Sequence, residues 1–256
     1  MNVTHLAVKI VVAILVFGGL AYAQPHETVR NSSVQFGDKV IVVPAPEGFE
    51  EASSEFKQIK DRFLATEAPS TDFLLAHLPA DDCQSLRNGG TLVLNRYTKV
   101  SVRRELRDKT FSDDDMAASV AEFRKNGGAI LDPDGPTMKA VIESAERGLT
   151  KLESKPVGLG LNATENLGEF DVRPEVYSVM LLLTYKVDSG GTQSLLPMLA
   201  SLTLLKVKQR LLYVAVYRRI SSPAALKIEL KPGISEVKQL TTKWVNTILA
   251  ANKESL

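Results

Sequence analysis

The sequence predicts an α+β fold in which a central antiparallel sheet carries helices packed on both faces, an α/β/α sandwich. Three observations predict it. Long apolar runs crowd the C-terminal half with only tight turns between them, and strands so close in sequence pair antiparallel because a parallel pair needs a long crossover. Amphipathic helical stripes lie before and after those runs. The order β, α, β, β, two helices, an antiparallel meander and α lacks the regular alternation of a doubly wound sheet.

The chain opens with the order of a secretory signal peptide, Met1 to about Ala23. Lys9 is followed by the apolar run Ile10–Phe17 and then by Ala21-Tyr22-Ala23, which places cleavage after Ala23. The run is shorter than the roughly 20 residues of a membrane span. The alternative is an uncleaved N-terminal anchor. Later apolar stretches, Val179–Leu183 and Leu211–Val216, are strand-length, so no transmembrane span is expected after signal removal. Gln24–Gly37 reads as a flexible, polar lead-in, and residues 38–252 as a single α+β domain.

Lys39–Val43 is a β-branched strand stopped by Pro44 and Pro46, which cannot donate to a ladder. A helix is expected from Ser53 to Ala65, with Phe56, Ile59 and Phe63 on one face. Phe73–Leu78 is a strand ended by Pro79. Asp81, Asp82 and Asn88-Gly89-Gly90 mark a loop or hairpin turn, and Leu92–Val102 a longer, alternating strand.

Ser112 caps the next helix, with Asp113, Asp114 and Asp115 in a first turn where carboxylates complement the helix dipole. Asn126-Gly127-Gly128 is expected to end it. A second helix follows Pro136, with Met138, Val141, Ile142, Ala145, Leu149 and Leu152 as its apolar stripe, and stops before Pro156. This pair, within residues 108–155, reads as a possible helical insertion. Val157–Leu161 is a short glycine-rich strand. Val176–Val187, Leu195–Val207 and Leu211–Tyr217 form the meander. Ser235 caps a final helix with Val237, Leu240, Trp244, Ile248 and Leu249 on its apolar side.

Removing Lys9 with the leader balances the basic and acidic residues, so the chain lacks the positive field of a non-specific nucleic-acid binder and no nucleic-acid partner is expected. Local basic groups such as Arg103, Lys206 and Arg210 read as solvated strand ends. Cys83 is the one cysteine, so no intramolecular disulfide can form. With the leader, this points to a bacterial periplasmic or secreted protein.

Chemistry is sparse. After Ala23 the only histidines are His26 and His77, too few for a zinc site of His and Cys ligands. There is no Gly-x-Ser-x-Gly elbow, no dinucleotide fingerprint and no phosphate loop, so no metal or cofactor is expected. Asp132-x-Asp134-Gly135 lacks the remaining ligands of a calcium loop and reads as a helix-entry turn. The weak catalytic candidates are His77 and Cys83, the one place where base and nucleophile types lie near each other. A strand followed by a turn does not by itself bring them into contact.

Three motifs carry a resemblance. A strand meets the turn Val43-Pro44-Ala45-Pro46-Glu47-Gly48-Phe49, a hairpin strand reads Leu212 to Tyr217, and a closing helix runs from Trp244 to Asn252. In these the chain resembles the PsbP/Mog1-like proteins, which include exported bacterial members of unassigned role. The resemblance implies an α/β/α sandwich and an accessory or binding role with a protein partner, and it brings no catalytic residues. The sequence is thus read as an exported accessory or binding protein. The alternatives are a thiol or hydrolytic enzyme centred on His77 and Cys83, and a small-ligand carrier with an apolar pocket between sheet and helices.

Overall fold

The computed structural model describes residues 32–189 and 191–253. The leader, its cleavage point and residues 24–31 lie outside the described residues. The lead-in is nevertheless shorter than the sequence suggests. Ser32–Phe36 (β1) pairs antiparallel with Lys39–Val43 (β2), and Val34, Phe36, Ile41 and Val43 are buried. Alternation of apolar and polar side chains, masked by the polar residues upstream, makes β1 a strand.

The main sheet has seven strands in the order β3-β4-β5-β9-β8-β7-β6. These are β3 (Phe49–Glu51), β4 (Thr71–Pro79), β5 (Arg96–Arg103), β6 (Val157–Arg173), β7 (Val176–Ser189), β8 (Thr192–Val207) and β9 (Arg210–Arg219), and every neighbouring pair is antiparallel. The expected meander is β7-β8-β9. Its second turn puts Lys208 and Gln209 at φ of 47° and 60°, the twist that suits a two-residue hairpin.

Both faces are covered. One face packs against α1 (Lys57–Thr66), α2 (Ala80–Arg87), α3 (Asp113–Ile130) and α4 (Pro136–Glu153), burying Ile59, Phe63, Cys83, Leu86, Met116, Phe123, Met138 and Leu149 in one cluster with the sheet. The α3–α4 pair shares one of the two helical layers with α1 and α2. The other face packs against α5 (Leu226–Ala251) and the β1–β2 hairpin around Trp244, Val245 and Ile248.

Several boundaries move, each for a local reason. The Glu51 carboxylate accepts hydrogen bonds from the Ser53 and Ser54 backbone N–H groups, at 2.8 Å and 3.1 Å, and holds them in a turn, so α1 begins at Lys57. Residues 80–87, expected to be loop, form α2, with Asp81 and Asp82 in its first turn. Strand β5 begins at Arg96, not Leu92. Ser112 is the expected cap and closes a capping box with Asp115, but α3 runs through Gly127 and Gly128 to Ile130. Gly127 lies under the Phe123 ring, where this packing outweighs its poor helix propensity.

Strand β6 extends twelve residues past Leu161, the end read from sequence. Its register against β7 slips at Asn162, Leu167 and Phe170, three bulges that break the alternation by which a strand is recognised. Helix α5 starts at Leu226, nine residues before Ser235, and carries Pro232 inside it on the exposed side. Gly233 explains why it continues. A Cβ there would lie 2.3 Å from Arg218 Nη1 and 2.7 Å from Leu199 Cδ1, so the glycine lets the helix lie directly on β8 and β9.

Two side chains of α5 fasten it to β2. Trp244 Nε1 donates to the Pro44 carbonyl at 2.7 Å. Asn252 accepts from Val42 N–H at 2.9 Å and donates to the Val42 carbonyl at 2.6 Å, the pattern of an adjoining strand made by one amide. Asn252→Ala leaves both Val42 groups unpaired and should lower stability by about 1–3 kcal/mol in urea unfolding. Gly148 lets α4 cross α1, since a Cβ there would sit 1.8 Å from the Ala65 carbonyl oxygen. Gly148→Ala should therefore destabilise by about 1–3 kcal/mol, although alanine is the better helix former by about 1 kcal/mol.

Candidate functional site

His77 and Cys83 do not meet. Along β4, Ala76 and Leu78 point into the cluster beneath α1–α4. The alternation of a strand sends His77 to the opposite face, where its ring stands edge-on to Trp244 with centroids 5.3 Å apart. Cys83, on α2, is buried on the α1–α4 face with its Sγ 4.0 Å from the Leu78 carbonyl. The sheet separates the two groups, so the imidazole cannot activate the thiol.

Neither group is electrostatically prepared for catalysis. His77 is fully buried and shares a hydrogen bond through Nδ1 with Thr98 Oγ1 at 2.8 Å, while Nε2 has no partner. Burial pulls its pKa from 6.5 down to about 3, which keeps the ring neutral. Burial, with the Glu50 carboxylate adding to it, pushes the Cys83 thiol up to about 12. A reactive thiol needs the opposite shift.

On the α1–α4 face a small cavity of about 20 Å³ adjoins the sheet over β5, β9, β8 and β7. That volume suits about one water. No group of three or more His, Cys, Asp or Glu side chains able to hold a metal ion is present among the described residues.

The larger concave feature is open to solvent. A groove of about 500 Å³ runs between α5 and the corner of the sheet at β3 and β5. Phe49, Leu240 and the edge of Trp244 give it an apolar floor, and Glu47, Arg96, Glu236 and Lys243 line its sides. Glu236 accepts from Arg96 at 3.2 Å and from Arg218 at 2.9 Å, which fixes one wall. Trp244 itself is 1 % exposed, as its helical position implies, so it supports the groove rather than protruding into it. Sequence reasoning missed this feature because its residues come from 47–49, 96 and 236–247 and share no local pattern.

The architecture defines the class, an α+β sandwich with an antiparallel sheet between helical layers. The motifs read from sequence are brought into one place. The Pro44 turn, β9 and the Trp244–Asn252 stretch of α5 share the α5 face of the sheet. No family model matches the chain, and no curated protein matches it. Among solved structures it is similar to the Saccharomyces cerevisiae Ran-binding protein Mog1p, at 13% sequence identity, 88% coverage of this chain, 93% coverage of that chain and a TM-score of 0.32. So distant a likeness carries no argument about function. No helix among the described residues is long and apolar enough to cross a membrane.

The shifts at His77 and Cys83 have measurable consequences. His77 is held below its unfolded pKa, so the unfolded chain takes up the proton first as pH falls, and stability should drop from about pH 6.5 toward pH 3. His77→Gln should make this decline shallower by up to about 1.4 kcal/mol per pH unit, read from urea midpoints across that range. Cys83 should resist maleimide at pH 7.5 in the native protein and label stoichiometrically in denaturant.

Proposed function

We propose that this is an exported accessory protein that binds a protein partner and performs no catalysis through His77 or Cys83. The groove between α5 and the β3 corner carries the proposal. It is a solvent-facing concavity on a rigid helix and sheet edge, with an apolar floor and charged walls. Mixed lining of this kind suits a protein contact, in which an apolar centre supplies affinity and a polar rim sets orientation. Export is supported by the charged, apolar and small-residue order of Met1–Ala23. A periplasmic or secreted setting also agrees with the lone cysteine being buried, where it is protected from oxidation.

A photocrosslinker at the exposed Gln239 position tests the reading in the native envelope fraction, with one at Arg147 on α4 as control. One dominant adduct is expected from the first position and none from the second. Lys243→Glu should reduce that adduct about tenfold, in line with a contact worth about 1.4 kcal/mol. Equal labelling at both positions, or a partner-free monomer throughout, would count against the groove and the binding role together.

A further inference from the structure

The small cavity on the α1–α4 face is built from the register of four strands. Lys99, Ala215, Leu202 and Val179 lie opposite one another across β5, β9, β8 and β7, and Ser101, Tyr213, Leu204 and Tyr177 form the next row. The hollow has a simple origin. Ala215 is short between Lys99 and Leu202, its neighbours in register on either side.

The polar groups around this hollow are mostly donors. Lys99 is 2 % exposed and gives one hydrogen bond, to Glu67 at 2.9 Å. Ser101 stands beside it. The Tyr213 hydroxyl is buried and has no partner, and one row further along β5 the Nε of Arg103 is also buried and unpartnered.

Charge is unbalanced in the same direction. Among the described residues four cations are withdrawn from water on this face, with side-chain exposures of 2 % for Lys99, 6 % for Arg62, 7 % for Arg103 and 12 % for Lys206. Glu67, at 5 %, answers Lys99, and Glu153, at 17 %, answers Arg62. The acids paired with Arg103 and Lys206 are Glu105 and Asp113, which are 40 % and 79 % exposed and therefore well screened. Burial lowers the pKa of Arg103 and of Lys206, as expected for cations short of a buried counter-charge. Glu67 keeps one oxygen without a partner, so the site holds one acceptor among its donors.

We infer that the hollow above Ala215 is a binding site for one small monovalent anion of halide size, held by Lys99, Ser101 and the Tyr213 hydroxyl. About 20 Å³ holds one small sphere, and a monatomic ion is the simple anion nearest that size. A buried anion here would answer the excess of buried cations and give the Tyr213 hydroxyl an acceptor. The inference does not depend on the partner-binding role.

Bromide is the probe. With the full chain at constant ionic strength, replacing sulfate by bromide should add to the non-saturating effect of the salt exchange a saturable rise in Tm, of about 4 °C once bromide reaches roughly ten times its dissociation constant. A crystal grown in bromide should show an anomalous peak within hydrogen-bond reach of Tyr213. Tyr213→Phe, which removes the hydroxyl, and Ala215→Val, which fills the hollow, should each abolish both signals. A cavity that refines as water without anomalous signal overturns the inference. So does a bromide-dependent Tm that survives in both variants, because the ion then binds elsewhere.

Discussion

The constraint from which the rest follows is that the sheet is covered on both sides. A strand at the centre of such a sheet has no solvent face, so a residue along it is apolar or draws on a partner inside the protein. Strand β5 shows the consequence. Tyr97 through Arg103 are buried without exception, and three of the polar members are answered inside the protein: Thr98 by His77, Lys99 by Glu67, Arg103 by Glu105. The same demand pairs Ser178 with Thr203 at 2.8 Å, and Ser201 with Thr241 of α5. Groups that look chemically suggestive in the sequence are thereby enlisted in the core. His77 is neutral because it is buried, and Cys83 is inert for the same reason.

The second cover depends on a few contacts that close the molecule from end to end. Asn252 and Trp244, near the C-terminal end of α5, bond to the backbone at Val42 and Pro44 some two hundred residues earlier. Gly233 lets the middle of the helix touch the sheet. The β1–β2 hairpin then has both a partner and a roof, although a hairpin of this size is marginal alone. The open groove beside α5 is a by-product of the same arrangement. It lies where α5 leaves the sheet uncovered at its β3 corner, so its shape is as fixed as the helix that makes one wall.

What the sequence determined by itself was whatever depends on neighbours within a few residues. The Ser112 cap of α3, the tight turn between β8 and β9, the β7-β8-β9 meander and the buried stripe around Trp244 were all legible, because hydrogen-bond geometry and hydrophobic period act over one or two turns of chain. The tertiary structure alone decided where elements continue against local preference. Helix α5 passes Pro232 because its packed face outweighs one lost hydrogen bond, and β6 runs on through three bulges because β7 is there to pair with it. It also decided which side chains share a space. His77 and Cys83 are six residues apart yet lie across a sheet from each other, while Phe49, Arg96 and Lys243 line one groove from three distant segments. Such distances depend on which strands neighbour one another and how helices cross them, and no short-range pattern encodes that.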